Sequence, residues 1–365
     1  MKKLCLGALL LFMQPLVLPL MQLNGCTGIK LIADDGSVVH GRTLEFGTSV
    51  DLSVAVIPRG YSFTGTTPNG PGLRYKSKYA AVGAIAFSHL TMLDGMNEKG
   101  LSVGTFYFPG FAGYSQITRD TQARALSPVE FPNWILTQFA TVNELKEALQ
   151  DVVIAPTVSE EWGPTPPPFH YIVFDKDGNC LVIEPLGGFL VTYDNELGTL
   201  TNSPTFDWHM TNLRNYIHLS PYNAIPVSIN GITFKQLGAG SGMTGLPGDF
   251  TPPSRFVRAA IFSAAATPSP IASDAIFQIF HILNQFDIPV GVALEKIDET
   301  THSSQTQVTC ARDPQSLKYY FKTYDDQNIK VIDLSDFDFN VSNIKLLPVT
   351  GRGRAQDISR DLTAL

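Results

Sequence analysis

The stretch CTGIKLIADDGSVVHGRTLEF, residues 26–46, decides how this 365-residue chain is read. Two β-rich runs, Cys26–Ala33 and Ser37–Phe46, flank Asp34-Asp35-Gly36. A three-residue loop with glycine in third place suits a type I turn closed by a left-handed residue. That hairpin sets Ala33 opposite Ser37, Gly28 opposite Arg42 and Cys26 opposite Leu44. Strand faces alternate with period two, so Arg42 shares a face with Cys26, one diagonal step away. Gly28 puts no side chain across from Arg42, which leaves the arginine room to lean toward the thiol. Lone arginines on strands are usually solvated; this one has a geometric reason to turn inward.

Upstream of the hairpin, residues 1–25 read as an export signal. Lys2 and Lys3 give the positive start, Leu4 to Met21 is almost unbroken apolar sequence, and Gln22-Leu23-Asn24-Gly25 ends in a small residue. That is the three-part pattern of a secretory signal. Cleavage after Gly25 makes Cys26 the first residue, a thiol nucleophile carrying its own α-amine as base. Two alternatives stand beside this reading. The apolar run has about the minimum length for a transmembrane anchor, roughly 18 residues, although Gln14, Pro15 and Pro19 interrupt it. Leu23-Asn24-Gly25-Cys26 also loosely resembles a lipobox, in which the cysteine is lipidated and its amine acylated, although Asn24 fits poorly. Leu23 is large for an ordinary cut at this point, so a slightly earlier cleavage followed by loss of a short propeptide is a further route to Cys26. A catalytic Cys26 ranks ahead of a lipid anchor, and that ahead of a structural cysteine.

Removal of residues 1–25 leaves 340 residues, ample for a large core and long for one domain. The net charge of −7 becomes about −9 without Lys2 and Lys3. No basic stripe exists, so nucleic acid is not the expected partner, and an acidic surface is poorly suited to anionic lipid. Stable membrane insertion is not expected once the signal is gone. Of Cys5, Cys26, Cys180 and Cys310, three survive processing. An odd number in an oxidising compartment points to a free thiol. Cys180 and Cys310 either pair with each other or are buried as small hydrophobes. The seven histidines show no H-x-H or H-E-x-x-H spacing, so neither a metal nor a cofactor is expected.

Downstream, strands are expected at Leu52–Arg59, Ala80–Phe87, Leu101–Phe108, Tyr171–Asp175, Cys180–Pro185 and Phe189–Tyr193. The turn Asp94–Gly100 precedes the third of these. Helices are expected at Ser127–Ala140 and at Val142–Leu149, the latter with a capping box of Thr141 and Glu144. Residues 203–253 read as mostly irregular. Helices Arg255–Ala266 and Asp274–Phe286 follow, then strands Gln307–Cys310, Leu317–Tyr324 and Ile329–Asp333. Helices in blocks rather than in alternation argue for an α+β fold. No linker divides residues 26–365, which read as one domain with a loose polar tail after Thr350.

Gly240-Ser-Gly-Met-Thr-Gly245 fits the spacing of a dinucleotide site. It lacks the leading strand and the following helix that such a site needs, so it reads as a surface loop. Thr201-Asn202-Ser203-Pro204 is on spacing alone a turn, although Asn202 could present an amide to a developing oxyanion. Ser254 is a plausible N-cap. Arg255 in the first helical turn opposes the helix dipole, so it needs a specific partner. Phe106-Tyr107-Phe108 reads as core aromatic packing. Glu45, near Arg42, is either its ion-pair partner or exposed.

Taken in order, these segments resemble the choloylglycine hydrolase family, the cysteine N-terminal-nucleophile group of bile salt hydrolases and penicillin V acylases. The likeness is carried by Cys-Thr-Gly at 26–28, His-Gly-Arg-Thr-Leu-Glu-Phe at 40–46, Asp-Gly-Met-Asn-Glu-Lys-Gly-Leu at 94–101, Thr-Asn-Ser-Pro-Thr-Phe-Asp at 201–207, Asn-Leu-Arg-Asn-Tyr at 212–216 and Leu-Pro-Gly-Asp-Phe-Thr-Pro-Pro-Ser-Arg-Phe-Val-Arg at 246–258. The resemblance implies a four-layer αββα sandwich, an exported or periplasmic enzyme and a homo-oligomer, dimer or tetramer. The stretch between Asn212 and Gly245 resembles an assembly loop. Cys26 then matches the nucleophile, Arg42 the arginine against the thiol, Asn202 the oxyanion amide and Arg255 the second arginine. Tyr107 matches the position whose backbone N–H completes the oxyanion hole. Glu45 departs from the aspartate usual at its position.

The mechanism implied is thiolate attack on an amide carbonyl, protonation of the leaving nitrogen by the α-amine, and hydrolysis of a thioester. Conjugated bile salts are the leading substrates. Penicillin V and N-acyl homoserine lactones are alternatives, and tyrosine at 107 leans toward the penicillin acylases. Aromatic loops at 61–63 and 106–114 are candidate walls for an apolar acyl group. A lipidated binding protein without catalysis is the reading from another class.

Overall fold

Strict alternation along the strands builds the layers. In the computed structural model, which describes residues 25–353 and 357 apart from 88 and 298, two antiparallel sheets stack face to face. The first runs Cys26–Ile32, Val38–Phe46, Thr300–Asp313, Lys318–Thr323, Lys330–Asp333, with Ala293–Ile297 paired to the start of the long strand. The second runs Phe189–Asp194, Cys180–Leu186, Phe169–Phe174, Ser102–Tyr107, Met92–Asn97, Ala81–Ile85, Ser53–Ile57, Lys345–Pro348. Along Phe169–Phe174, Ile172 and Phe174 face the other sheet, while Tyr171 and Val173 face the opposite way. Cys180–Leu186 and Ser53–Ile57 divide in the same manner. A strand with both faces buried reads as a continuous apolar run, as these do.

Three hydrophobic layers result. Between the sheets lie Cys26, Leu44, Met96, Phe106, Ile172, Val308 and Phe321 among others. Helices Pro252–Ala265 and Ala272–Leu283 close the outer face of the first sheet over Ile29, Leu31 and Val39. Helices Phe131–Gln138 and Val142–Ala148 close the outer face of the second over Leu101, Tyr171 and Ile183. This is the expected αββα sandwich, with all three layers built from mainly Val, Ile, Leu and Phe. Full burial of each such side chain contributes roughly 1.5–3 kcal/mol. Among the described residues no helix is long and apolar enough to cross a membrane.

The opening hairpin has the expected register, with Cys26 opposite Leu44 and Gly28 opposite Arg42. Its turn closes through Gly36, whose φ is +84° and whose N–H donates to the Ala33 carbonyl. Elsewhere the structure corrects the sequence reading. Residues 203–253 are not mostly irregular at their start: Phe206–Leu213 is a helix, and 227–229 pairs with 232–234 in a short hairpin. Met92–Asn97 is a strand, so the turn is confined to the residues after Asn97, and the aromatic loop at 61–63 opens a hairpin, 62–67 with 70–76. The helix expected at Arg255 begins at Pro252, with Thr251 rather than Ser254 at its N-cap, because prolines lack the N–H that the first helical positions leave unpaired. The capping box at Thr141 is half formed. Glu144 N–H donates to Thr141 Oγ1, but the Glu144 carboxylate accepts from Ala140 N–H, one residue early. Cys26, Cys180 and Cys310 are all buried and free, so Cys180 and Cys310 do not pair here. The signal segment and most of the C-terminal tail lie outside the described residues.

Candidate active site

Cys26 stands at the start of the first strand, on the face turned toward the second sheet, and only 4% of it is exposed. Arg42, one diagonal step along the neighbouring strand, lies on the same face. Its Nη1 donates to the carbonyls of Leu93 (2.8 Å) and Thr105 (3.0 Å), and its Nε to Thr43 O (3.0 Å). Its guanidinium stacks on the Phe106 ring at 4.5 Å. That leaves Nη2 without a protein partner. Phe106 in turn lies over Gly28: a Cβ there would stand 2.9 Å from the ring. The glycine therefore makes room for the ring that carries the arginine, rather than for the arginine itself.

Two residues remote in sequence complete the thiol's surroundings. Arg255, on the helix that covers the first sheet, donates to the Cys26 carbonyl and to Thr27 Oγ1 (2.9 Å), and its Nη2 donates to Asn202 Oδ1 (2.6 Å). This is the specific partner its place in the first turn demanded. Asn202 Oδ1 also accepts from Cys26 N at 2.9 Å. A guanidinium only donates, so the oxygen must face Arg255 and the amide nitrogen must face the other way. That nitrogen donates to the Tyr107 carbonyl at 2.7 Å. One of its two N–H bonds is used there, and the other is left for a ligand. The Tyr107 backbone N–H faces the thiol.

Electrostatics at the thiol are a contest. Burial pushes the Cys26 thiol up, and Arg42, Arg255 and the Tyr107 N–H pull it back, while Glu45 adds to the rise. Glu45 is itself fully buried, and burial raises its carboxyl to about 7 against the opposing pull of Arg255 and Arg42. Its Oε1 accepts from Thr306 Oγ1 at 3.2 Å, and Oε2 has no partner. Its backbone N–H donates to the Gly25 carbonyl at 2.7 Å. Gly25 lies against both Glu45 and Arg255, so the bond joining it to Cys26 is inside the site. All six residues singled out in the sequence, Cys26, Arg42, Glu45, Tyr107, Asn202 and Arg255, thus meet in one place. Cys180 and Cys310 are held protonated by burial, Cys310 at about 12. Among the described residues no group of His, Cys, Asp and Glu could hold a metal ion.

The space beside the thiol is about 20 Å³, room for one water molecule. Leu44, Phe46, Leu93, Thr105, Tyr107 and Phe169 line it from strands; only Val50 and Trp162 reach it from connections. Trp162 is caged edge-on by Phe46 (5.6 Å), Phe87 (5.0 Å) and Phe169 (5.0 Å). Its neighbour Glu161 pairs with His89 at 2.6 Å. Sequence reasoning missed Trp162. A tryptophan among Glu160, Glu161 and the prolines at 164 and 166–168 was the available signal, since nothing local there needs a large apolar ring. It also missed His170, which hides inside an apolar strand, and His209, which sits in a short helix of mostly unburied residues.

Comparison with known proteins follows the same residues. The family described as linear amide C–N hydrolases, choloylglycine hydrolase family, matches residues 26–347. A bile salt hydrolase/transferase of Clostridium perfringens is 35% identical over 322 residues, covering 88% of this chain and 95% of that protein. A crystal structure of a mutant conjugated bile acid hydrolase, also from Clostridium perfringens, superposes with a TM-score of 0.82 at 31% identity, covering 92% of this chain and 100% of that one. A penicillin V acylase from Agrobacterium tumefaciens shares the fold, with a TM-score of 0.72 at 23% identity over 89% of this chain and 92% of that one.

Proposed function

Because the chain belongs to the choloylglycine hydrolase family and hydrolyses linear amide C–N bonds, we propose that it cleaves conjugated bile salts, with Cys26 as the nucleophile. The observation that carries the site assignment is Cys26 N at 2.9 Å from Asn202 Oδ1, with the thiol under Arg42 and the Tyr107 N–H. Cleavage after Gly25 turns that nitrogen into an α-amine already held beside its own thiol. The amine and a cysteine thiol have similar ordinary pKa values, near 8 and 8.5, so proton exchange between them costs little. Arg42 and Arg255 favour the thiolate.

The thiolate attacks the amide carbonyl. The Tyr107 N–H and the free N–H of Asn202 take the developing oxyanion. Protonated by the thiol, the amine gives that proton to the leaving amino acid. Water then cleaves the thioester with the amine as base. Arg255 ties the Cys26 carbonyl to Asn202, so nucleophile and oxyanion donor keep one geometry. A steroid acyl group cannot enter 20 Å³, so this reading requires the wall that Trp162 forms to open.

Export of the chain, with cleavage of residues 1–25 and no lipid on Cys26, belongs to the same proposal, as does assembly into a homo-oligomer. Residues 26–365 are read as one catalytic domain. The second reading, an acylase for amides with an aromatic acyl tail such as penicillin V, draws on the aromatic lining by Tyr107, Phe46, Trp162 and Phe169.

The deciding experiment couples intact mass with turnover of glycine- and taurine-conjugated bile salts and penicillin V. A mature chain starting at unmodified Cys26, active on bile salts above penicillin V, is expected. Preference for penicillin V selects the second reading, and a lipidated, inactive chain overturns both. Loss of one oxyanion donor lowers rate by ~10²–10³, so Asn202→Ala is expected to fall by that order in kcat while remaining folded.

A further inference from the structure

Two histidines that take no part in the proposed chemistry grip the backbone on either side of Asn202. Both are fully buried. His170 Nε2 lies 3.0 Å from the Thr201 carbonyl, and His209 Nε2 lies 2.9 Å from the Asn202 carbonyl. A carbonyl only accepts, so each Nε2 carries a hydrogen. The other nitrogen of His170, Nδ1, stands 3.4 Å from Glu184 Oε1 in a pocket where that carboxyl is also fully buried. A bare lone pair facing a bare carboxylate would repel it. A hydrogen on one of the two atoms is therefore needed for them to bond. Glu184 Oε1 also accepts the Phe206 N–H at 2.9 Å, at the first residue of the helix that carries His209.

The same histidine reaches the other half of the site. His170 pairs across the sheet with Phe106, and its ring stacks on Phe108 at 4.2 Å and meets Phe106 edge-on at 6.1 Å. Phe106 and Phe108 flank Tyr107, whose N–H faces the thiol. One imidazole thus spans the strand end that supplies one oxyanion donor and the turn that supplies the other.

We propose that His170 and Glu184 form a buried positioning dyad that holds the Tyr107 N–H and the Asn202 amide in register, with His209 as a second tie on Asn202. The proposal rests on the reading of those two groups as the oxyanion hole. His170 and Glu184 touch no substrate; they act through Thr201, Phe206 and the rings beside Tyr107. Misplacing catalytic groups by about 1 Å can cost ~10²-fold in rate, and the dyad guards against a shift of that size.

The test compares two reactions of the same thiol. Amide hydrolysis passes through an oxyanion, whereas alkylation of Cys26 by iodoacetamide does not. His170→Phe keeps the ring stack and removes the Nε2 hydrogen. It is expected to lower kcat on a glycine-conjugated bile salt by ~10–100-fold, with KM and the Cys26 alkylation rate within about two-fold of wild type. Glu184→Gln is the conservative variant. Its oxygen in the place of Oε1 still accepts the Phe206 N–H, but it has no proton to share with His170 Nδ1, so kcat should fall between wild type and Glu184→Leu. Glu184→Leu, which can do neither, should fall with His170→Phe.

Unchanged kcat in His170→Phe overturns the proposal, as does a parallel fall in alkylation, which would mean general damage. If His170→Phe does not fold, the two Glu184 variants decide, and wild-type kcat in Glu184→Leu overturns it. Failure of the functional reading looks different: wild-type protein would hydrolyse no acyl amide while its Cys26 alkylates normally, and the dyad proposal would fall with it.

Discussion

Glu45 sits between two arginines, yet burial outweighs them and its carboxyl titrates at about 7 while Gly25 is attached. The native carboxyl is then protonated up to about pH 7, whereas the unfolded one ionises near its ordinary value of 4.5. Between those pH values the native state binds more protons, so stability falls as pH rises, by about 3 kcal/mol in all from this group. Glu45→Gln in the chain that retains Gly25 should flatten that slope in urea unfolding from pH 4 to 8; an unchanged slope would show that Glu45 is not its source. An α-ammonium freed at Cys26 would draw the carboxyl down, so the slope should also shrink on processing. Gly28 is the other sensitive residue. Gly28→Ala puts a methyl 2.9 Å from Phe106, the ring under Arg42. We expect a loss of ~1–3 kcal/mol, as for other overpacked cores, and a drop in Cys26 alkylation rate as Arg42 is displaced. The alternation of the first hairpin was enough to place Cys26 and Arg42 on one face. It gave no sign that Phe106 would fill the gap over Gly28, because that ring arrives from the other sheet.

At the scale of elements, the segment that follows the Phe206–Leu213 helix is the least covered part of the fold. Its short hairpin exposes Val227, Ile229, Ile232 and Phe234 by 56–62%, with Ile217, Tyr222 and Ile225 still more open. Exposed apolar groups gathered in this way mark an interaction surface. The proposed occupant is a second copy of the chain. Ile229→Ser with Ile232→Ser should shift the sedimenting species toward monomer with little change in far-ultraviolet circular dichroism. A protein that is monomeric before the substitution would remove the assembly proposal. Sequence periodicity was silent here because strands of three residues are too short to show a period, and the proline and glycine around them read only as turn formers. The Phe206–Leu213 helix escaped notice for a related reason. Only Phe206 and His209 of its eight residues are buried, so no full apolar stripe exists to be seen.

Across the whole molecule, buried arginines join the two sheets. Arg42 reaches from the first sheet to the carbonyls of Leu93 and Thr105 in the second. Arg312 reaches from the first sheet to Asp94 in the second at 2.8 Å, where Tyr319 OH also donates at 3.0 Å. Removing one member of a buried ion pair strands the other, at a cost of ~3–5 kcal/mol. Arg312→Leu is therefore expected to lower unfolding free energy by that amount in urea, and a loss below about 1 kcal/mol would mean that the pair behaves like a surface one. By itself the sequence determined the hairpin, its register and the Cys26–Arg42 neighbourhood, the stacked sheets having come only with the family resemblance. The first three follow from period-two alternation and turn chemistry, which act over a few residues. Only the tertiary structure decided where Asn202 and Arg255 stand, 176 and 229 residues beyond the cysteine they touch. The family resemblance named them, but no local pattern could bring them there. The same holds for His170, Glu184 and Trp162. Their roles come from the closing of sheet on sheet and helix on sheet, and a contact made by long-range closure leaves no period in the chain.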